Sequence, residues 1–421
     1  MSAASPACLP HELAPGRGFA ALLARPNLRG ARVLVRLDLN LPYAPMAANG
    51  AAAQAQAEHA RFARALPTMR ALARAGARVG LLSHFGRPAG RVVPRLSLKP
   101  LTDVLARALD CNIGFAPDCV GTAAEEAMGA LQPGGILLLE NTRFHGGEEA
   151  NAPEFVAALQ RLGDVFVLDA FSVAHREHAS SCGLARALPS YAGPNIEQEW
   201  QQLERLLAEP TRPFCAIVGG AKIANKLPLL ERLVHKCDCL ILGGGMANSF
   251  LYAAGHAVGR SLHEPELAAD ARRIAAAARD TGCALMLPHD VVIAPDLAQP
   301  QHARTVALAN MPADAMILDC GPKSLAQICA RLDGAKTCVW NGPLGAFETP
   351  PFDTATLQLA RHMGARARQR ALIAVAGGGD SLAALQHAGC TQDFSYVSTA
   401  GGAFLAWLQN RSLPALRALT S

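Results

Sequence analysis

The stretch FCAIVGGAKIANK, residues 214–226, places two glycines and two lysines directly after a run of apolar residues. The run is apolar throughout rather than alternating, which is typical of a strand covered on both faces. Of the 39 basic residues only six are Lys, yet Lys222 and Lys226 lie within five positions of each other. The stretch therefore predicts a buried parallel strand, a turn and a helix start with an unusual pair of ammonium groups.

Similar apolar runs recur along the chain, and each is followed by an Ala-, Leu- and Arg-rich segment of helical period. Alternation of strands and helices at this spacing predicts an α/β fold with doubly wound parallel sheets. The other runs are VLVRLDL (33–39), VGLLS (79–83), ILLLE (136–140), VFVLDA (165–170), CLILGG (239–244), ALMLPHD (284–290), MILDC (316–320), TCVWNG (337–342) and LIAVAGG (372–378).

A chain of 421 residues is expected to form two domains, or one unusually large one. Pro and Gly interrupt the pattern at LPSYAGPN (188–195), and a polar stretch with helical character follows at 196–207. We therefore predict an N-terminal domain over residues 1–192 and a C-terminal domain over 193–408, with the polar helix at their junction.

Composition excludes several classes of protein. The net charge of +5 is spread along the chain, and no run of like charges indicates a nucleic-acid arm. The longest uncharged run, 239–259, contains three consecutive glycines, so a buried strand and helix explain it better than a membrane span. The twelve scattered cysteines predict a reducing compartment. The first 30 residues lack the apolar core of a signal peptide, which leaves a transit peptide or a plain extension.

The second half carries four strand ends rich in glycine: VGGAKIANK, LGGGMANSF, WNGPLGAFE and AGGGDSLAAL. Ligands bind at the carboxyl ends of strands in open α/β sheets, and helix N-termini offer N–H groups to phosphate. A single turn of this kind is weak evidence because every strand needs a turn. Four in one domain predict a nucleotide site.

The spacing of Lys222 and Lys226 places them on one face of a helix's first turns. Like charges there repel each other and oppose the helix dipole. An exposed helix face is the alternative explanation, although this chain normally uses Arg on such faces. A compact ammonium can follow charge during phosphoryl transfer, which favours a catalytic function for the pair.

Asp380 in GGGDS is predicted at a helix start, where it could cap the helix, hold Mg²⁺ on a nucleotide, or do both. The sequence contains neither GxxxxGK[ST] nor the protein-kinase HRD and DFG motifs. The usual phosphate-loop and protein-kinase classes are thereby disfavoured.

The first half places basic and polar side chains at or near successive strand ends. Guanidinium groups bind carboxylate and phosphate in two-pronged fashion. Each of these residues could singly be a surface or structural residue, but together they predict a site for a small polyanion such as a phosphorylated acid. They are Asp38, Asn40, Arg61, His84, Arg87, Arg143, His175 and Arg176.

Ten ordered motifs between about Arg32 and Leu416 resemble those of the phosphoglycerate kinase family. The resemblance implies a bilobal, hinged enzyme that transfers phosphate reversibly between ATP and the carboxylate of 3-phosphoglycerate, in glycolysis or carbon fixation. It also implies a monomeric, cytoplasmic protein without nucleic-acid or membrane partners, whose residues 409–421 return to the first domain. The motifs are VRLDLNLP, SHFGRP, SLKP, LLLENTRFHGGEE, DAFSVAHREHASS, GGAKIANK, GGGMANSFL, DCGPKS, VWNGPLGAFE and GGGDS.

Matching positions carry the family's roles over to this sequence. The acid substrate would contact Asp38, Asn40, Arg61, His84, Arg87, Arg143 and Arg176. Arg61 and Lys222 would flank the transferring phosphoryl group. The nucleotide would contact Lys226, Gly244, Gly245, Asn341, Glu348, Asp380 and Ser381, with Asp380 serving Mg²⁺ and the Gly401 and Gly402 backbone binding phosphate.

Several positions depart from the family's motifs. Asn225 stands where the family usually has Asp, Ala400 replaces a Gly, and Ser172 replaces another Gly. Leu168, Val173, Tyr396 and Phe404 also differ from the motifs. These changes predict a slower enzyme with ordinary affinity for the acid. The alternative is a weakened paralogue that acts as a binding or regulatory protein, and a third reading is a kinase of a related phosphorylated acid.

Overall fold

The computed structural model describes residues 16–40, 52–398 and 400–420, and it divides the chain into two compact units. One unit contains the described residues up to Glu204 together with those from Asn410 onward, and the other is Arg205–Gln409. The division falls twelve residues beyond the predicted boundary at 192, inside the helix expected at 196–207. The assignment of a substrate to each unit stays a prediction.

A six-stranded parallel sheet forms the centre of the first unit, in the order β3-β4-β2-β1-β5-β6. Its strands are β1 (Arg32–Arg36), β2 (Arg78–Leu82), β3 (Ile113–Ala116), β4 (Ile136–Leu139), β5 (Val165–Leu168) and β6 (Ser190–Ala192). The helices are α1 (Phe19–Leu23), α2 (Ala52–Arg74), α3 (Leu101–Leu109), α4 (Gly121–Ala130), α5 (Gly146–Glu149), α6 (Pro153–Gln160), α7 (Leu184–Ala187), α8 (Pro194–Leu207, which ends in the second unit) and α16 (Pro414–Thr420).

The apolar runs become central strands because both faces of this sheet are covered. Val33 and Val35 on β1 pack in one core with Met69 and Leu72 of α2, and all four side chains are fully buried. Covering both faces removes the alternation that a half-exposed strand would show. The apolar runs did not predict β3 and β6, which are short edge strands.

The second unit repeats this architecture with a parallel sheet in the order β15-β14-β13-β7-β8-β9. Its strands are β7 (Phe214–Val218), β8 (Cys239–Leu242), β9 (Ala284–Met286), β13 (Thr337–Asn341), β14 (Ile373–Gly377) and β15 (Tyr396–Ser398). The helices are α9 (Leu227–Lys236), α10 (Gly244–Ala253), α11 (Ala268–Thr281), α12 (Pro322–Asp333), α13 (Thr354–Arg368), α14 (Gly379–His387) and α15 (Gly402–Leu408). Strand β8 and helix α10 contain most of the uncharged run at 239–259, up to Ala253.

One predicted strand lies outside the two parallel sheets, in a separate three-stranded sheet. The MILDC run forms β12 (Met316–Cys320), but it pairs antiparallel with β10 (Asp290–Ala294), which in turn pairs with β11 (Arg304–Ala307). An apolar run of five residues looks the same in a parallel and in an antiparallel sheet, so the sequence could not distinguish them.

The C-terminal segment packs in the first unit. The Ala415 N–H donates to the Ala174 carbonyl over 3.3 Å, and Leu416 and Leu419 of α16 are buried. The resemblance implied a return of residues 409–421 to the first domain, and the division leaves Gln409 in the second unit.

Candidate functional site

The predicted acid-site residues follow adjacent strands of the first sheet. Arg143 follows β4, His84 follows β2, Asp38 follows β1 and Arg176 follows β5, and these four parallel strands are neighbours in the sheet. Because the carboxyl ends of parallel strands share one edge, the fold brings together side chains that are far apart in sequence.

Arg36, which is not among the predicted site residues, is buried at this edge of the sheet and contacts His84. Arg36 is 1% exposed, and its Nη2 lies 3.0 Å from Nδ1 of His84. Its Nε donates to the Ser180 hydroxyl over 2.9 Å, and that hydroxyl donates to the Glu148 carboxylate over 2.6 Å. A signal was present in the sequence, because Arg36 follows three apolar residues and is the last residue of β1, two positions before Asp38.

Asp38 and Asn40 are held at the same strand end. One carboxylate oxygen of Asp38 accepts the Asn40 N–H at 3.3 Å, and the other accepts the Ser172 hydroxyl at 2.6 Å. Asn40 Oδ1 accepts the Gly86 N–H at 2.9 Å. Ser172 is one of the departures from the family motif, so this chain adds a hydroxyl contact to Asp38.

Arg143 is anchored rather than free. It is 5% exposed, donates from Nη1 to the Gly86 carbonyl over 2.7 Å, and pairs through Nε with Glu149 at 3.0 Å. Burial lowers the pKa of Arg143, and neighbouring Arg176 lowers it further. Arg176 is half-buried and Arg87 is exposed, while the side chain of Arg61 lies outside the described part of the structure.

The histidines of this edge carry no charge at neutral pH. Burial and the nearby guanidinium groups lower the pKa of His84 far below its ordinary range. Burial is also the main reason that the pKa of His175 and that of His178 fall to about 4. The positive charge of the edge therefore comes from arginine, which stays protonated.

In the second unit the glycine-rich turns follow four adjacent strands, β14, β13, β7 and β8. The turns touch each other through backbone: the Gly219 N–H donates to the Asn341 carbonyl over 2.9 Å, and the Gly244 N–H donates to the Leu344 carbonyl over 2.7 Å. A Cβ atom on Gly219 would lie 1.8 Å from the Pro343 carbonyl oxygen. Close packing between turns thus accounts for part of the glycine pattern.

The predicted helical face for the two lysines is wrong. Helix α9 begins only at Leu227, with Pro228 in its first turn, and Lys222 lies in the irregular turn before it. Lys222 is exposed, whereas the Lys226 ammonium donates to the Gly219 carbonyl over 2.6 Å and to the Asn341 carbonyl over 3.4 Å. Burial lowers the pKa of Lys226 to about 8, and Asp380 partly opposes this shift.

The capping role considered for Asp380 is not observed. Gly378 occupies the N-cap of α14 without a side-chain cap, and Asp380 is exposed in the first turn. Its neighbour Ser381 is buried, and its hydroxyl accepts the Gly342 N–H at 2.7 Å. Asp380 is therefore available to a ligand, while Ser381 already supports a turn.

The remaining candidates differ in their surroundings. Asn341 is buried and donates to the Gly377 carbonyl over 2.6 Å, and its Oδ1 has no hydrogen-bond partner among the described residues. Glu348 is exposed. Gly401, with φ of +43°, precedes α15, which begins at Gly402. Gly245 follows Gly244 at the start of α10, where a Cβ atom would lie 2.4 Å from the Ala221 carbonyl oxygen.

Comparisons with known proteins agree over nearly the whole chain. The sequence profile described as phosphoglycerate kinase matches residues 23–411. A phosphoglycerate kinase of Methylorubrum populi is 52% identical over 392 residues, which cover 93% of this chain and 96% of that protein. One of Brucella suis is 51% identical over 393 residues, which cover 93% and 98%.

Solved structures give the same result for the fold. Phosphoglycerate kinase from Coxiella burnetii superposes with a TM-score of 0.81 at 38% identity, covering 94% of this chain and 97% of the other. The enzyme from Pyrococcus horikoshii gives 0.78 at 28% identity, covering 93% and 96%. Among the described residues, no helix is both long and apolar enough to cross a membrane.

Proposed function

The chain belongs to the phosphoglycerate kinase family, and from this premise we propose which of its residues carry out the reaction. The reaction is reversible phosphoryl transfer between ATP and the carboxylate of 3-phosphoglycerate, a step of glycolysis. No finding supports the alternative of a weakened binding paralogue.

The first unit is the proposed site of 3-phosphoglycerate. The observation that carries this proposal is the alignment of Arg143, His84, Asp38 and Arg176 after four adjacent parallel strands. Arginine forks suit the phosphate and carboxylate of the substrate, and Asp38 and Asn40 can accept hydrogen bonds from its hydroxyl group. Arg87 is exposed near the same edge, and Arg61 is assigned by motif position alone.

The second unit is the proposed site of the nucleotide. Its strand-end turns bring backbone together over short distances, and Lys226 supplies an ammonium beside them. Free backbone N–H groups and an ammonium are suitable partners for polyphosphate. Gly244, Gly245, Asn341, Glu348 and Ser381 complete the proposed nucleotide contacts, and Gly401 and Gly402 would offer backbone to the phosphate that moves.

Asp380 is the residue proposed to hold Mg²⁺. It fits this role because its carboxylate is exposed and caps no helix, and because one carboxylate plus phosphate oxygens is an ordinary Mg²⁺ site. Bound Mg²⁺ would neutralise phosphate charge.

Lys222 and Arg61 are proposed to act on the transferring phosphoryl group. Phosphoryl transfer needs alignment of donor and acceptor, charge neutralisation and exclusion of water, with little covalent help from the protein. Lys222 is exposed in a turn and is not part of a helix, so its flexible ammonium can follow the moving group. The hinge and the closure that the family resemblance implies also belong to this proposal.

We further propose a monomeric cytoplasmic protein. The eleven described cysteines are free thiols, which supports a reducing compartment. The mild net charge of +5 gives no support for binding to nucleic acid.

The test is a coupled assay of ADP formation from MgATP and 3-phosphoglycerate. We expect turnover that requires both substrates, and weaker use of the acid by Arg143→Lys than by the control Arg161→Lys, whose guanidinium is exposed. Binding of both ligands without turnover would instead identify a binding protein, and turnover only with another phosphorylated acid would reassign the substrate.

A further inference from the structure

We propose that Arg36 is a positioning residue that fixes the tautomer of His84, so that His84 presents a neutral Nε2–H donor to the acid substrate. Arg36 acts through His84 and has no contact with the substrate itself. The proposal rests on the function assigned above to His84, but its structural part can be tested without any substrate.

The hydrogen-bond geometry determines where the proton lies. Nη2 of Arg36 is 3.0 Å from Nδ1 of His84, and a guanidinium group can donate but not accept hydrogen bonds. Nδ1 must therefore offer its lone pair to Arg36. A neutral imidazole has one proton, so that proton lies on Nε2.

The other donors of Arg36 fix the orientation of its guanidinium group. Nε donates to the Ser180 hydroxyl over 2.9 Å, and Nη1 donates to the Leu37 carbonyl. Three donors on three separate partners leave the planar group little freedom to rotate. His84 is thus placed against a rigid donor on a central strand of the sheet.

Glu148 balances the buried charge of Arg36 without displacing His84. Glu148 is 0% exposed and accepts both the hydroxyl of Ser180, over 2.6 Å, and the Ser180 N–H, over 2.9 Å. Ser180 therefore links the carboxylate to the guanidinium. A buried charge that is paired and hydrogen-bonded can be tolerated, whereas an isolated one would be costly.

Burial and the surrounding guanidinium groups keep His84 neutral. Burial is the main reason that the pKa of His84 is low, and the positive charges of Arg36, Arg143 and Arg176 lower it further. Protonation of Nδ1 would also place an N–H opposite the Arg36 N–H. His84 consequently contributes a directed hydrogen bond to the acid site, and the charge that attracts the substrate comes from arginine.

The first experiment observes the tautomer directly in the unliganded wild-type protein. With ¹⁵N-labelled histidine, long-range ¹H–¹⁵N spectra distinguish a protonated ring nitrogen from an unprotonated one, and His84→Ala assigns the signals. We expect protonated Nε2, unprotonated Nδ1 and no titration between about pH 5.5 and 8. A proton on Nδ1, or a charged ring in this range, would overturn the proposal whether or not the enzyme is active.

The second experiment asks whether Arg36 acts through His84. Arg36→Lys keeps the charge but loses the planar fork, and we expect the KM for 3-phosphoglycerate to rise about tenfold with kcat and the ATP KM nearly unchanged. Arg32→Lys is the matched control, because Arg32 lies on the same strand but is partly exposed and pairs with Asp164. We expect it to leave all three values unchanged.

A double-mutant cycle separates this role from a purely structural one. If Arg36 acts through His84, Arg36→Lys should add little to the KM increase that His84→Ala already causes. Fully additive effects would contradict the proposal, as would equal losses for both substrates. If the wild-type enzyme does not use 3-phosphoglycerate at all, the proposed function fails, while the tautomer result still stands on its own.

Discussion

The two candidate sites differ in the groups that line them: side chains in the first unit and mainly backbone in the second. In the first unit the strand-end edge consists of buried side chains that hydrogen-bond to one another, as Arg36 does to His84. In the second unit it consists mainly of backbone: the turns at Gly219 and Gly342 pack against each other, and the Lys226 ammonium donates to the Gly219 and Asn341 carbonyls. Both candidate sites lie at the carboxyl edge of a parallel sheet, so the fold determines where each site lies. The local sequence determines whether side chains or backbone groups line it.

This difference predicts how each site fails. Removing a side chain from the first site should weaken recognition of one substrate. Adding even a methyl group to the second should disturb the fold, because backbone atoms cannot move aside as flexible side chains can.

Gly219→Ala should prevent stable folding of the second unit. The new Cβ atom would lie 1.8 Å from the Pro343 carbonyl oxygen, so one of the two turns must move. We expect a loss of at least about 3 kcal/mol, at the upper end of overpacking effects. Thermal unfolding and soluble yield measure this change. Gly334→Ala is the control, since its φ is −84° and an added Cβ atom would lie 3.8 Å from the Arg331 carbonyl oxygen. Equal melting temperatures for both variants would refute the packing argument.

Lys222→Ala should lower kcat by about 10²-fold while both KM values change little. The reason is that its exposed ammonium is proposed to stabilise charge that develops only in the transition state. Lys222→Arg should restore little activity, because a planar fork cannot follow the moving group. Steady-state kinetics decide the matter, with Lys336→Ala as an exposed lysine control in the same unit. Full activity of Lys222→Arg would contradict the argument drawn from the scarcity of lysine.

Arg143→Ala should raise the KM for 3-phosphoglycerate by about 10- to 150-fold, equivalent to roughly 1.5–3 kcal/mol for a charge-assisted contact. Arg176→Ala should act in the same direction, and neither change should alter the ATP KM. Arg161→Ala provides the surface control, because that guanidinium is exposed and pairs with Glu125. An unchanged acid KM in both site variants would remove these arginines from the site.

The same difference between side chains and backbone explains how much of each candidate site could be predicted from the sequence. The candidate residues of the first site could be chosen from residue types, since Asp38, His84 and Arg143 lie just beyond recognisable strands. Arg36 was overlooked because it belongs to a strand that was predicted from its apolar residues, and that pattern gives no information about hydrogen bonding. In the second unit glycine spacing located the turns, but it did not show that α9 begins only at Leu227.

Some strands and strand pairings could not be predicted from the sequence, for different physical reasons. The edge strands β3 and β6 are only partly buried, so they lack the continuous apolar run that predicted the similarly short central strands β4 and β5. The antiparallel pairing of β12 depends on contacts with β10, which no local pattern encodes. Local composition predicts which segments are buried, whereas pairing partners and buried polar contacts are set by tertiary structure.

The ATP KM should rise as the pH increases through about 8. Burial places the pKa of Lys226 near this value, so the free protein loses the ammonium proton above it. Anionic phosphate favours the charged form, and binding must then take up a proton, which weakens apparent affinity by at most tenfold per pH unit. We expect a several-fold increase between pH 8 and 9 at saturating Mg²⁺. Lys226→Arg should remove this inflection, and an inflection that persists in the variant would assign it to another group.

The smallest expected effect concerns Ser172, which this chain has in place of a family glycine. Its hydroxyl donates to Asp38 over 2.6 Å and so orients a carboxylate proposed to accept the substrate hydroxyl. Because the carboxylate keeps other lone pairs free, the serine supports Asp38 without blocking it. Ser172→Ala should therefore raise the acid KM about two- to threefold, less than 1 kcal/mol, at constant kcat. Ser172→Thr retains the hydroxyl and should restore the wild-type value. A lower KM in Ser172→Ala would mean that the hydroxyl competes with the substrate, and the side-chain network of the first site would then limit recognition instead of assisting it.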